Sequence, residues 1–221
     1  MPYPSTGHSK INRIIVDEYF RDIRDGFFIE SGACDGIFQS NTYYLETELN
    51  WTGLLVEPNP DYVRECIENR PNSNVYSCAL VSPDYDGDTT VLYSIASKGA
   101  MGTVGDRGIW ANEAEKPVFH ENIPVRTLTS ILDESNPSKI NFMSLDVEGY
   151  EYSVLQGLDF SKYKPEVIVV ECYGELIKPV DELLSTYYRM DNKITDRDYV
   201  YLVKRKQLLL LFLFIILQSI F

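Results

Sequence analysis

Apolar residues in this chain gather into short runs, and the stretches between them carry apolar positions at helical spacing. Gly26–Glu30 (GFFIE), Gly53–Glu57 (GLLVE) and Asn74–Leu80 (NVYSCAL) are the first three runs. Ile140–Asp146 (INFMSLD), Glu166–Glu171 (EVIVVE) and Tyr199–Val203 (YVYLV) follow. The fourth and fifth are almost wholly apolar, as strands covered on both faces are. Asn59-Pro60-Asp61 supplies a cap and a first-turn proline for a helix with Tyr62, Val63, Cys66 and Ile67 on its apolar face. Further helices are predicted at Thr127–Leu132, Gly149–Leu158 and Pro179–Leu184. Strands alternating with helices predict an α/β fold with a doubly wound, mostly parallel sheet and helices on both faces. Val81 to Arg126 has many glycines and little periodicity, so a mobile loop or lid is predicted there. No internal repeat is visible.

With 221 residues, 44% of them hydrophobic, the chain suits one core. It divides into a helical lead-in (1–25), a main domain (26–205) and an apolar tail (206–221). A net charge of −13 and a pI near 4.6 argue against nucleic acid, whose backbone needs clustered Lys and Arg. Cys34, Cys66, Cys78 and Cys172 have no zinc-like spacing and read as reduced thiols in a cytosol-like compartment. The polar N-terminal stretch has no secretory h-region. At the other end, Lys204-Arg205-Lys206 precedes an unbroken apolar run from Leu208 to Leu217. Even if the whole segment from Gln207 is helical it would reach roughly 20 Å, short of the ~30 Å bilayer core. An interfacial membrane anchor on a cytoplasmic protein, a helix packed on the domain and an appendage without function all remain open.

The first strand runs into Glu30-Ser31-Gly32-Ala33-Cys34-Asp35-Gly36, an acidic residue followed by a glycine-containing turn. In a doubly wound sheet, nucleotide-like ligands sit at the carboxyl ends of the strands, by the switch point. Glu57 ends the second strand, where a carboxylate can accept hydrogen bonds from ribose hydroxyls. An ordinary strand-to-helix turn would show the same glycines, and the phased Glu57 tilts the reading toward a ligand. Glu30, Asp35 and Glu57 put negative charge where pyrophosphate would have to go, and that charge suits a sulfonium and an α-ammonium instead.

The stretch FFIESGACDGIFQSNTYYLETELNWTGLLVEPNP resembles the opening of FkbM-family methyltransferases, with its G-A-x-D-G turn, S-N-T segment and E-P-N-P strand end. IPVRTL from Ile123, SLDVEGYEYSVLQGLDF from Ser144 and PEVIVVE resemble the family's later blocks. The family's upstream Gln-Asp pair stands here as Asn12-Arg13, and the apolar tail lies outside the resemblance. The same segments are similar to those of Star-like proteins, which implies an alternative: a non-catalytic, membrane-associated trafficking or interaction module.

The resemblance implies a Rossmann-like sheet of the class I methyltransferase type with S-adenosylmethionine as cofactor. It implies Glu30, Gly32, Ala33, Asp35 and Gly36 around the methionine moiety, Glu57 on the ribose and Cys78-Ala79 near the adenine. Asn41 and Thr42 are expected to line the same cleft, and Asp146, Val147, Glu148 and Gly149 to lie beside the cofactor. It further implies O-methylation of a sugar, glycan or secondary metabolite, selected by residues between Tyr85 and His120. A hydroxyl acceptor must lose a proton. Asp146 and Glu148 are candidates for that base or, with Glu171, for holding a divalent metal; an alternative role for Glu148 is to favour a helix N-terminus. His120, one of two histidines, is a third candidate base because imidazole titrates near neutrality. Trp51 reads as packing, Trp110 equally as packing or as a substrate platform, and the acid-rich stretches 84–88 and 191–198 as solvated loops.

Overall fold

The computed structural model describes residues 9–94, 102–104 and 118–204. Seven strands form the main sheet: β1 (Phe27–Ser31), β2 (Thr52–Glu57), β3 (Ser73–Ser77), β8 (Phe142–Leu145), β9 (Val167–Glu171), β10 (Tyr188–Lys193) and β11 (Asp198–Val203). Their order is β10-β11-β9-β8-β1-β2-β3, and all run parallel except β11, which is antiparallel to both of its neighbours β9 and β10. The chain winds outward from β1 through β2 to β3, then returns to the other side of β1 with β8. The fold is thus the doubly wound α/β sheet the sequence predicts, with its switch point between β1 and β8.

Period-two alternation divides the strands cleanly between two cores. Ile29, Leu54, Val56, Met143, Leu145, Ile168 and Val170 face the helices α4 (Leu128–Ser135), α5 (Glu151–Gln156) and α6 (Ile177–Leu184). Their neighbours Phe28, Leu55, Phe142, Val167 and Val169 face α2 (Tyr43–Leu49) and α3 (Pro60–Asn69). The lead-in joins that second core. Ile11 and Ile15 of α1 (Ser9–Ile15) and Val16 and Phe20 of the π-helical turn after it pack there beside Trp51. Trp51 is buried, donates its indole N–H to the Ile23 carbonyl at 2.9 Å and meets the Phe20 ring edge-on. The Asn59 side chain caps α3 from Asp61 N–H at 3.0 Å, with Pro60 in the first turn.

Four elements differ from expectation. The run Asn74–Leu80 is two strands, because the chain turns at buried Cys78 and β4 (Ala79–Leu80) leaves the main sheet. The segment from Val81 to Arg126 is not a loop throughout. Its β5 (Thr89–Ser94), β6 (Gly102–Val104) and β7 (Val118–Arg126) build a second sheet with β4, in the order β4-β7-β5-β6. Most positions of β7 are exposed, which erases the apolar alternation that marks a half-buried strand. Trp110 lies outside the described residues. Strand β10, almost entirely polar and exposed at the sheet edge, gave no apolar signal either. Helix α5 begins at Glu151 rather than Gly149, since Glu148 (φ 53°) and Gly149 (φ 103°) are left-handed.

Candidate functional site

A cleft enclosing about 850 Å³, open mouth included, lies across the carboxyl ends of β8, β1, β2 and the β3–β4 junction. Gly32 and Cys34 border it from the turn after β1, and Val56, Glu57, Pro58 and Asn59 from β2. Cys78, Ala79 and Leu80 form the next wall, and Asp146, Val147, Glu148 and Tyr150 the opposite end beyond β8. Leu92, Ser94 and Val104 of the second sheet also face it.

Gly32 is obligatory where β1 and β8 end side by side. Its φ is 84°, and a Cβ would sit 1.8 Å from the Asp146 carbonyl oxygen, well inside contact distance. Glu57 is buried, and each of its oxygens accepts one backbone N–H, from Cys34 and from Asn59, both at 2.8 Å. Burial pushes its carboxyl up to about 7, against the pull of those two N–H groups. One lone pair on each oxygen remains for a ligand.

The β8 end is crowded with acid. Burial first, then the charges of Glu171 and Glu148, raise the Asp146 carboxyl well above the usual range. Its Oδ1 is buried and has no hydrogen-bond partner. Glu151, raised chiefly by burial, accepts the N–H groups of Val147 at 3.1 Å and Gly149 at 3.0 Å, and so shapes the loop that carries Glu148. Glu171 accepts from the Tyr173 hydroxyl and has the Arg197 guanidinium at 3.7 Å.

Of the residues expected at the site, Gly32, Glu57, Cys78, Ala79, Asp146, Val147 and Glu148 therefore share one cleft. The others are placed beneath or beside it. The Glu30 carboxylate is buried and accepts from Ser40 Oγ (2.7 Å), Asn41 N–H (2.6 Å) and Thr42 Oγ1 (2.7 Å), with Arg70 at 3.5 Å. Asn41 donates onward to Ser144 Oγ at 2.9 Å. Asp35 accepts the N–H groups of Ile37 and Phe38, closing its own turn, and Gly36 (φ 82°) packs on Arg70. Ala33 is buried under the turn. His120 is half-buried on β7, paired in register with Leu92. Residues that sequence reasoning missed include Phe38 and Gln39, which sit inside the matched turn segment, and Leu92, Ser94 and Val104. The alternation of TTVLYS (89–94) was the one signal for the last group. All four cysteines are free and buried. Among the described residues, no group of three or more His, Cys, Asp or Glu side chains is arranged to hold a metal ion.

The profile of the methyltransferase FkbM domain matches residues 30–201. This chain belongs to the FkbM methyltransferase family. It is a methyltransferase fold whose cofactor is S-adenosylmethionine. Among solved structures it is similar to a TehB-like SAM-dependent methyltransferase of Corynebacterium glutamicum, at 9% identity over 88% of each chain and a TM-score of 0.45. A precorrin-6y C5,15-methyltransferase of Geobacter metallireducens has 13% identity over 93% of this chain and 94% of its own, with a TM-score of 0.48. An RNA methyltransferase of Salinibacter ruber, solved with S-adenosyl-L-homocysteine, has 11% identity over 93% and 95%, with a TM-score of 0.43. Likenesses this remote decide nothing about the acceptor. No curated protein sequence matches the chain.

The FkbM cleft fits the family's cofactor on its own geometry. The orphaned Asp146 Oδ1 is an acceptor without a donor beside a surface that Gly32 keeps free of side chain. A ligand carrying an ammonium group supplies donors of that kind.

Proposed function

We propose that this chain transfers a methyl group from S-adenosylmethionine to a hydroxyl oxygen of a small-molecule or glycan acceptor. The observation that carries the reading is the charge of the cleft: the carboxyls Glu57, Asp146 and Glu148 line it, and among the described residues no Lys, Arg or His does. A pyrophosphate-bearing dinucleotide would be repelled there, whereas a cationic nucleoside is drawn in. Asp146 and Glu148 would face the ammonium and sulfonium end, Glu57 the ribose, and Cys78-Ala79 the purine. The bound cofactor supplies a methyl carbon already activated on sulfonium sulfur. The chain's own work is to align the acceptor and take its proton. Asp146 is the candidate base, at the acidic end of the cleft. His120 supports a second route, since register pairing with Leu92 turns it toward the face of the second sheet that borders the cleft.

Calorimetry of S-adenosylmethionine on the full chain tests the reading, and no heat at millimolar cofactor would end it. Binding is expected to follow Glu57. Ribose hydroxyls donate best to an ionised carboxylate, so affinity should rise as pH climbs through about 7 and level off above it. In Glu57→Gln this component should vanish, leaving the titrations of the cofactor's own ammonium and of the Asp146 end of the cleft, and affinity at pH 8 should fall by about 1.5–3 kcal/mol. The unliganded chain shows the opposite sign. A carboxyl raised in the folded state stabilises below its unfolded pKa and loses that contribution as pH rises toward about 7.

Among the described residues no helix is long and apolar enough to cross a membrane, and the apolar tail lies outside them. We propose an interfacial role for residues 207–221. Ten consecutive apolar residues behind Lys204-Arg205-Lys206 favour an anionic surface by burial and by roughly 1 kcal/mol per basic residue. The full chain is expected to float with anionic liposomes, and a chain ending at Arg205 to stay behind. Equal behaviour of the two forms would refute the anchor.

A further inference from the structure

The carboxyl edge of the main sheet presents its cleft residues in a line: Asp146 after β8, Gly32 after β1, Glu57 at the end of β2 and Ala79 past β3. Three strand spacings of about 4.8 Å separate the ends of that line, roughly 14 Å in all. One end is acidic and the other apolar, with Glu57 between them. A ligand that is cationic at one end and a flat heterocycle at the other can lie along it in one direction only. The heterocycle then falls against Ala79.

The second sheet meets the cleft at this apolar end. Leu92 is 2% exposed and Val104 7%, yet both border the cleft, and with Ala79 and Ile123 they form a small core of their own. Register pairs Leu92 with Val104 across β5 and β6, and Ser94, two residues on, also borders the cleft. We infer that β5 and β6 close over the nucleoside half of the cofactor, with Leu92 and Val104 as its apolar wall and Ser94 at the rim. The inserted sheet is then a cofactor-binding element, although its sequence first reads as an acceptor-selecting loop. The inference rests on the methyltransferase reading of the same cleft and extends it to three residues of the insert.

S-adenosylmethionine and S-adenosylhomocysteine share the nucleoside and differ in the sulfonium charge, so their affinity ratio separates the two ends. Calorimetry on the full chain should show Leu92→Ala weakening both ligands by the same factor, about tenfold or more for the apolar contact removed. Ser94→Trp, which fills the rim without touching the small core, should weaken both by about 100-fold or more. Glu148→Gln should instead lower the affinity for the sulfonium ligand more than for the thioether. Circular dichroism checks each fold, and Ser94→Trp decides the matter if Leu92→Ala loses its sheet signal. Unchanged affinities in a folded Ser94→Trp, with wild-type binding intact, would overturn the inference and leave the methyltransferase reading standing. Absence of wild-type binding would overturn both.

Discussion

Arg70→Met is expected to cost about 3–5 kcal/mol of folding stability, enough to leave a typical domain barely folded at 37 °C. The Arg70 side chain is wholly buried and is paired with two buried carboxylates, Glu46 at 2.7 Å and Glu30 at 3.5 Å. It also donates to the Gly36 carbonyl at 2.9 Å and Thr42 Oγ1 at 2.9 Å, and lies against the Phe28 and Tyr43 rings. Methionine matches the apolar stem and leaves Glu30 and Glu46 in a dry site without a countercharge. The loss comes from those stranded charges, not from the ion pairs as such. Replacing all three ionic groups together, Arg70→Met with Glu30→Gln and Glu46→Gln, should therefore recover a large part of the stability. Urea unfolding of the single and triple variants checks it. An Arg70→Met midpoint close to wild type, with an unchanged denaturant slope, would show that water or rearrangement already relieves the pair.

The same network explains which part of the site was legible in the sequence. Glu30 and Glu57 look alike along the chain, each an acidic residue at the end of an apolar run. The structure gives them different work: Glu57 faces the cleft, and Glu30 closes on Arg70, 40 residues away. Local patterning reveals a strand end, but it does not reveal a countercharge supplied by the far end of α3. Gly36 and Thr42 meet Arg70 as well, while Asp35 closes its own turn and Asn41 reaches Ser144, partners that local patterning does not reveal. Gly32 belongs to both readings, bordering the cleft and forced by the approach of the Asp146 carbonyl. The central strands β1, β2, β8 and β9 were legible because burial on both faces makes them mainly apolar. β7 and β10 were not, since exposure removes the only contrast that periodicity can detect.

Asp146→Asn is expected to reduce turnover by ~10²-fold or more while leaving the fold intact, because it removes a proton acceptor without changing shape. A base for a hydroxyl must be stronger than an ordinary carboxylate and must still be ionised when the acceptor arrives. Burial and the neighbouring charges of Glu171 and Glu148 meet the first condition by raising the Asp146 carboxyl. They work against the second, since a raised acid holds its proton to higher pH. Positive charge brought into the cleft by the cofactor acts in the required direction, lowering the carboxyl again once the complex forms. The sign can be followed with Glu148→Gln, which removes one negative neighbour. The acid limb of its single-turnover profile should move to lower pH, with a smaller loss of rate than Asp146→Asn. If His120 is the base instead, His120→Gln should show the large loss, and Asp146→Asn only a weakened cofactor affinity. Rates measured on a confirmed acceptor at saturating cofactor separate the cases. Full turnover by Asp146→Asn under those conditions would take this carboxylate out of the chemistry and leave it the task of facing the cofactor's charge.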